Sequence, residues 1–346
     1  MTVNNEALID VAPLGVPPWA TLDPFLFCAY HQDTYPPGND EMMPVVSLAG
    51  RAIGQDFSGK DGWSMYHGDR VPGFPRHPHR GFETVTVARR GFIDHSDSLG
   101  ASARFGDGDL QWMTAGRGIV HSEMFPLLRN DANNPTELFQ IWLNLPAHSK
   151  MVDPYFSMFW NNQIPRHTIA DPGGKETTVI TYCGALRSAG ESLDRTPSPP
   201  PDSWAADPSN DVAIWIFKME PDAVWTLPPA NTKSNRRLYY FAGASAEFES
   251  KRVTSDHALT LAPANALQVR NGGQESEFLL LQGQPIGEPV AHCGPFVMND
   301  EQELRVAFAD YRATGFGSWP WPSDGPAHPR DADRFAQHPY AKKETT

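Results

Sequence analysis

The sequence HPHRGFETVTV at residues 77–87 decides the fold of this chain, together with DLQWMTAGRGIVHSE at residues 109–123. Each stretch carries two metal-type ligands two positions apart: His77 with His79, and His121 with Glu123. In an extended strand, residues i and i+2 lie on one face about 6.6 Å apart. Two such strands that face each other inside a barrel can converge on one ion, and four donors leave two positions open in an octahedral shell. The pattern predicts a working metal site, because an open position distinguishes such a site from a structural one.

Three other polar side chains in this segment are alternative ligands. Glu83 continues the alternation from His77 and His79, so it faces inward if the strand runs straight. It would then be either a ligand or a buried, hydrogen-bonded carboxylate beside the site. His95 and Asp97 also share a strand face, but they precede a turn. We expect these two residues to line the mouth of the barrel or to cap the turn rather than to bind the ion.

The remainder of the chain is typical of an all-β protein. Pro and Gly punctuate short apolar segments every eight to twelve residues or so, which indicates a sandwich or barrel rather than βαβ units. One series runs from VVSLAG at 45–50 to TTVITYCGA at 177–185, and a second runs from VAIWIFKME at 212–220 to EFLLLQG at 277–283. A segment rich in Pro, Ser and Asp separates them. The predicted parts are an N-terminal metal-binding barrel at 1–190, a loop or linker at 191–211, a C-terminal barrel at 212–300, and a helix with an irregular tail at 301–346.

The two predicted barrels differ in their chemistry. The strand segment RRLYYFAGA at 236–244 offers adjacent tyrosines where the first series has ligands, and one of the two is expected to face the core. His257 has no histidine or carboxylate two positions away. We therefore expect the C-terminal barrel to bind no metal.

The C-terminal region is predicted to contain one short helix over 301–315. Four apolar residues fall on one face of it at spacings of three and four: Leu304, Ala307, Phe308 and Tyr311. The tail that follows is Pro-rich and polar, so we expect it to be irregular with a frayed end. Its two histidines, His328 and His338, are expected to be exposed to solvent.

Composition limits the partners and the compartment. The formal net charge of −13 argues against direct nucleic-acid binding, which needs a concentrated basic surface. No apolar run approaches a membrane span, and the N-terminus has neither the basic start nor the apolar stretch of a secretory signal. The three cysteines, Cys28, Cys183 and Cys293, are too few and too widely spaced for a disulfide framework. We expect a cytoplasmic protein, or a nuclear one in a eukaryote, without a membrane partner.

The two opening stretches resemble the pirin family within the cupin superfamily. The matching strings extend to DSLG at 97–100, LLLQGQPIGEPVAHCGPFVMN at 279–299 and AFADYRATGFG at 307–317. The resemblance implies two tandem cupin barrels of the double-stranded β-helix, or jelly-roll, type with a short C-terminal helix. It also implies that the histidines of HPH and the histidine and glutamate of HSE hold the ion: His77, His79, His121 and Glu123. On this ground Glu123 is preferred to Glu83 as the carboxylate ligand.

Resemblance to pirins implies an iron-binding protein, and quercetin 2,3-dioxygenase activity is known in several members. Fe(II) is the expected metal, although the same ligands accept manganese, nickel, copper or zinc. A flavonol can bind the ion through a hydroxyl and a neighbouring carbonyl oxygen, dioxygen is the second substrate, and Glu123 is the candidate catalytic base. Four residues are candidates for an apolar wall: Phe82, Trp112, Met113 and Phe125.

A second function fits the same four ligands. Pirins also act as regulatory or redox-sensing partners of other proteins, so the alternative is an iron-dependent switch that changes a protein-binding face with its oxidation state. A cavity that reaches the metal and admits three rings favours the enzyme, whereas a narrow, water-filled one favours the sensor. Isomerase or epimerase chemistry, known among cupins at large, fits the specific strings less well. In each case we expect a monomer.

Overall fold

Among the described residues, most of the regular secondary structure is β-strand, with one α-helix near the C-terminus. The structure is a computed structural model that describes residues 6–188, 191–192, 196–338 and 344–345. Outside the described residues lie the end of the predicted N-terminal barrel at 189–190, residues 193–195 of the predicted linker, and residues 339–343 and 346 of the predicted tail.

The strands follow one another along the chain with short connections. In order they are β1 (Leu8–Pro13), β2 (Phe25–Tyr35), β3 (Gly73–His79), β4 (Phe82–Arg90), β5 (Phe92–Asp97), β6 (Ser102–Gly106), β7 (Asp109–Thr114), β8 (Ile119–Met124), β9 (Asn134–Asn144), β10 (Tyr155–Phe159), β11 (Arg166–Ala170), β12 (Glu176–Cys183), β13 (Arg187–Ser188), β14 (Glu191–Ser192), β15 (Ala213–Met219), β16 (Val224–Leu227), β17 (Asn235–Ala242), β18 (Ser245–Phe248), β19 (Lys251–Thr254), β20 (His257–Leu261), β21 (Leu267–Asn271), β22 (Ser276–Gly283), β23 (Ala291–Cys293), β24 (Phe296–Met298), β25 (Phe335–Gln337) and β26 (Glu344–Thr345). The helix is α1 (Glu301–Thr314), and single 3-10 turns lie at Lys60–Gly62, Ala147–Ser149, Asn161–Gln163, Trp204–Ala206 and Pro208–Asn210.

The chain forms two compact units. One, called here the N-terminal barrel, consists of the described residues within 29–161 and 288–345; the other, the C-terminal barrel, consists of the described residues within 6–28 and 162–287. These boundaries differ from the predicted 1–190 and 212–300, because hydrogen-bonded neighbours rather than chain order decide which sheet a strand completes. Thus β1, β11 and β12 complete a sheet of the C-terminal barrel, and β25 joins a sheet of the N-terminal barrel.

Two antiparallel sheets build the N-terminal barrel. Their strand orders are β10-β7-β4-β9-β2 and β26-β25-β6-β5-β8-β3. Strand β4 lies at the centre of the first sheet and is buried on both faces. Its polar residues Thr84 and Thr86 alternate with Val85 and Val87, so the two faces differ. Thr86 donates to Glu123 on β8, which shows that the polar face of β4 is the one turned toward the second sheet.

The C-terminal barrel is built from a seven-stranded sheet, β1-β20-β17-β22-β15-β12-β11, and a four-stranded sheet, β16-β21-β18-β19. Apolar side chains pack its interior, where Phe278 stacks on both Phe217 and Tyr240. The hydroxyl of Tyr240 is 2.8 Å from Ser276 Oγ. Tyr239, on the opposite face of the strand, is also buried, and its hydroxyl donates to the Ala20 carbonyl at 2.9 Å.

The predicted C-terminal helix is confirmed as α1. The carboxylate of Asp300 caps it by accepting the Glu303 N–H at 2.8 Å, and Gly315 ends it with a φ of +59°. Leu304 and Ala307 are buried beneath it against the β23–β24 hairpin.

Two local predictions are wrong. The segment 45–50 forms turns instead of a strand. The tail is also more ordered than expected: β25 pairs with β6, and His328 is mostly covered, with Nε2 hydrogen-bonded to the His95 carbonyl at 3.1 Å. A segment that joins a sheet is ordered by backbone hydrogen bonds to the neighbouring strand. These bonds cannot be predicted from the composition of the segment. Within the described part of the chain, no helix has the length and apolar character needed to cross a membrane.

Candidate metal centre

Strands β3 and β8 bring three histidines together. In their antiparallel register His77 lies directly opposite His121, and a bulge before His77 shifts the pairing. The ring centroid of His121 is 4.4 Å from that of His77 and 4.9 Å from that of His79. One ligand nitrogen from each ring lies within 4.8 Å of the others. These three side chains form a group that could hold a metal ion, and we call them the histidine cluster.

Burial keeps the histidine cluster neutral. Desolvation lowers the pKa of His77 to about 4, although its hydrogen bond with the Pro75 carbonyl partly offsets this. Desolvation and the neighbouring imidazoles hold the pKa of His79 and of His121 well below the usual range. A carbonyl only accepts, so the 2.8 Å bond from His77 to Pro75 places the proton on Nδ1. The lone pair of Nε2 is then available to a ligand.

Glu123 lies next to the histidine cluster on the same face of β8. Its Oε2 is 3.9 Å from Nε2 of His121. Thr86 Oγ1 donates to Oε1 at 3.1 Å, and Gln140 Nε2 donates to Oε2 at 2.6 Å. Burial raises the pKa of Glu123, while His95 and these two hydrogen bonds oppose the rise. Two neutral donors thus hold the carboxylate beside the imidazoles. Carboxylates that bind a metal ion are held in place by hydrogen bonds of this kind.

His95 is closer to the histidine cluster than its place before a turn suggested. It is fully buried, it lies opposite Glu123 in the β5–β8 register, and its ring centroid is 5.5 Å from that of His121. Its Nε2 is 3.2 Å from Oδ2 of Asp97. The other oxygen of Asp97 accepts the backbone N–H groups of Leu99 and Ala101, each at 2.9 Å. Asp97 therefore caps the turn, as predicted, and also orients His95.

Glu83 does not share a strand with the HPH histidines. The chain turns at Gly81, where φ is +85°, so β3 ends at His79 and β4 begins at Phe82. The alternation from His77 is broken by this corner. Glu83 is completely buried and accepts a hydrogen bond from Thr114 Oγ1 at 2.6 Å. Its environment is that of a buried, hydrogen-bonded carboxylate.

Sequence reasoning missed the two residues that donate hydrogen bonds to Glu123. Thr86 and Gln140 lie opposite each other in the β4–β9 register. A usable signal was present for Gln140, which is the one polar residue within the apolar run LFQIWL at 138–143. A polar side chain inside an apolar run is informative because burial of an amide is costly unless it is hydrogen-bonded.

Aromatic and apolar side chains surround the histidine cluster on one side. The ring of His79 contacts Phe82 at 5.0 Å and Trp142 at 5.4 Å between centroids. Of the other predicted wall residues, Met113 faces the same way as Thr84, its cross-strand partner. Trp112, one residue earlier, points to the opposite face and packs on Phe159. Trp142 was not predicted as part of this wall.

A cavity of about 650 Å³ opens beside β3 and β8 in the N-terminal barrel. Its walls include Met42, His67, Arg70, Pro75 and Met124. The three histidines of the cluster are not among its lining residues. Because Met124 follows Glu123 on β8, it points to the face opposite that of the cluster.

The donor set fits a divalent transition metal. His121 is completely buried, yet neither of its ring nitrogens has a hydrogen-bond partner among the described residues. An unpaired buried polar atom costs about 1–3 kcal/mol, which a bound ion would remove. Neutral imidazoles with an adjacent carboxylate suit iron and its neighbours in the first transition row.

Both halves of the chain match a known protein family. Residues 14–143 match the sequence profile described as Pirin, and residues 214–317 match that described as Pirin C-terminal cupin domain. Pirin-1 of Arabidopsis thaliana is 36% identical over 69% of this chain and 77% of its own length. A Vibrio cholerae relative with the provisional name quercetin 2,3-dioxygenase is 35% identical over 72% of this chain and 82% of its own length.

Solved structures show the same fold. A crystal structure of quercetin 2,3-dioxygenase from Acinetobacter baumannii superimposes with a TM-score of 0.65 at 24% identity, covering 90% of this chain and 96% of that one. The two matched segments and the identity to the relatives confirm the resemblance seen in the sequence. The chain is a two-barrel cupin and belongs to the pirin family.

Proposed function

We propose that this chain is an iron-dependent dioxygenase that cleaves a flavonol such as quercetin. Its ligands for Fe(II) would be the histidine cluster and one carboxylate: His77, His79, His121 and Glu123. The single observation that carries the proposal is the convergence of three neutral imidazoles, that of His77 half-buried and the other two buried, on one point of the N-terminal barrel. The provisional name of the Vibrio cholerae relative supports the same reaction.

The residues around the cluster suit the chemistry of a phenolic substrate. When bound, the ion supplies a Lewis acid that lowers the pKa of a ligating hydroxyl and an electron route for dioxygen. Burial makes the Glu123 carboxylate a stronger base than an exposed one, so it can take the hydroxyl proton. Thr86 and Gln140 keep that carboxylate in place, and Phe82 and Trp142 exclude water beside His79. Ring cleavage consumes one dioxygen and releases carbon monoxide.

The test is turnover by the metal-loaded protein. The full chain is loaded with Fe(II) without oxygen, quercetin and air are added, and loss of the flavonol absorbance is followed with carbon monoxide release. We expect flavonol loss and carbon monoxide in equal amounts. His121→Ala should abolish both and lose the metal while keeping a cooperative thermal transition, because the imidazole makes no hydrogen bond within the described part of the chain.

An exposed histidine provides the matched control. His148→Ala removes an imidazole from the surface of the same barrel and should leave metal content and turnover unchanged. Full metal occupancy without flavonol loss would refute the dioxygenase. It would instead favour an iron-dependent, redox-responsive partner of other proteins.

A further inference from the structure

A row of polar side chains crosses the five-stranded sheet at the level of Glu123. In the register of β7, β4 and β9, Gln111 lies opposite Thr86, and Thr86 lies opposite Gln140. Directly paired residues project to the same face of a sheet, so all three face Glu123. Thr86 and Gln140 each donate a hydrogen bond to that carboxylate. Gln111 is the member of the row that the carboxylate does not use.

The amide of Gln111 has no hydrogen-bond partner among the described residues. The residue is completely buried, and neither Oε1 nor Nε2 makes a hydrogen bond within the described part of the chain. Thr84 Oγ1, on the next inward position of β4, is in the same condition. Buried polar groups are normally hydrogen-bonded, and those that are not point to a role outside the fold itself. The interior of the N-terminal barrel thus contains polar groups that a bound ligand could satisfy by hydrogen bonds.

The position of Gln111 suits contact with a ligand that also reaches the histidine cluster. Glu123, which lies at the level of this row, is two residues from His121 along β8. That separation is roughly 7 Å at the rise of a strand. A molecule that contacts the cluster and extends along the barrel by about one ring reaches the Gln111 row. Met158, opposite Gln111 on β10, offers an apolar contact beside the amide.

We propose that the Gln111 amide determines specificity by binding a phenolic hydroxyl on the part of the ligand remote from its chelating oxygens. This inference rests on the proposed function and names the feature of the substrate that the site selects. A phenolic hydroxyl both donates and accepts, so it satisfies Oε1 and Nε2 together. A ring without that hydroxyl leaves both amide groups buried and unpaired, which is how a polar site rejects an analogue.

The test compares two flavonols in the metal-loaded protein without oxygen. Quercetin has two hydroxyls on its pendant ring, and galangin keeps the chelating hydroxyl and carbonyl but lacks both. We expect the natural chain to bind quercetin about tenfold more tightly than galangin, as one buried hydrogen bond allows. In Gln111→Leu, which keeps a similar volume, the two affinities should agree within about threefold.

Thermal stability without flavonol gives a second readout. An unpartnered amide contributes nothing to the fold, so metal-loaded Gln111→Leu should melt at or above the temperature of the natural chain. Gln140→Leu is the matched control, because it removes the same amide from the same row but deprives Glu123 of a donor. It should weaken metal binding by about tenfold or more, whereas Gln111→Leu should keep its metal.

The outcomes separate this inference from the proposed function. An unchanged quercetin-to-galangin ratio in Gln111→Leu, or a clear fall in its melting temperature, overturns the role of Gln111 even if the enzyme turns over. Loss of the ratio in a protein that binds but does not cleave quercetin supports Gln111 and refutes the dioxygenase. Failure of the natural chain to bind either flavonol overturns both.

Discussion

Burial shifts the pKa values of several side chains in the N-terminal barrel. Asp33 accepts the Tyr66 hydroxyl at 2.7 Å and the Ser64 N–H at 2.9 Å. Burial nevertheless raises its pKa to about 6, because these bonds and the charge of Arg51 offset only part of the desolvation. The imidazoles of the histidine cluster shift the other way, since burial disfavours the charged form and a histidine is charged when protonated.

Asp33→Asn should change how stability depends on pH. Between the ordinary value of 3.8 and about 6, folded Asp33 keeps a proton that the unfolded chain has released. Its contribution to stability therefore falls as pH rises through this window, by about 3 kcal/mol in total. In urea unfolding from pH 4 to pH 7, the free energy of unfolding of the variant should rise relative to that of the natural chain by about 3 kcal/mol. The exposed Asp40→Asn controls for the lost charge, and curves that stay parallel for Asp33→Asn would refute the shift.

At the scale of elements, the corner between β3 and β4 sets the direction of the HPH histidines. Gly81 has a φ of +85°, and a Cβ placed there would lie 1.9 Å from the Val297 carbonyl oxygen. The buried ammonium of Lys150 donates to the Gly81 carbonyl at 2.8 Å and to Asn144 Oδ1 at 2.7 Å. Since His79 is only two residues earlier, any movement of this corner displaces a cluster imidazole.

Gly81→Ala should destabilise the N-terminal barrel and weaken its metal binding. The left-handed φ costs about 1 kcal/mol for alanine, and the overlap with backbone raises the total to about 3 kcal/mol or more. Gly54→Ala is the matched control, because Gly54 has a φ of +86° with nothing within 4 Å of the added carbon. Chemical denaturation and metal titration measure the two effects. Equal losses in the two variants would show that the close approach to Val297 is unimportant.

At the scale of the whole molecule, the C-terminal part of the chain completes the N-terminal barrel. Arg104 and Asp94 form a buried ion pair through two 2.7 Å hydrogen bonds. The guanidinium also donates to the carbonyls of Pro329 at 2.7 Å and His328 at 3.0 Å, and Asp94 accepts the His328 N–H at 2.8 Å. Because Asp94 and His95 are adjacent, this ion pair ties the tail to the strand beside the histidine cluster.

Arg104→Met should release the tail and leave Asp94 charged and buried without its partner. The expected loss is about 3–5 kcal/mol, with increased proteolysis after residue 316. Arg117→Met is the control, since its ion pair with Asp153 is largely exposed and should contribute less than about 1 kcal/mol. Limited proteolysis and denaturant unfolding of both variants check this. A tail that stays protected in Arg104→Met would show that β25 alone holds it.

Sequence patterns determined the class of fold, the helix α1 and the identity of the three histidines. Each of these depends on local spacing: two positions on a strand, three and four on a helix, and long strings shared with pirins. That Glu123 is the fourth ligand and that iron is the bound metal stay predictions. The position of Glu123 beside His121 supports the first of them.

Only the tertiary structure decided which chain segments complete each barrel and what surrounds the histidines. Gly81 turned the strand away from Glu83, although the alternation of residues continued through it in the sequence. Thr86, Gln140 and Gln111 came together through the registers of three strands distant in sequence. Hydrogen-bond pairing between remote strands has no local signature, because any strand of suitable pattern can accept any partner until packing selects one.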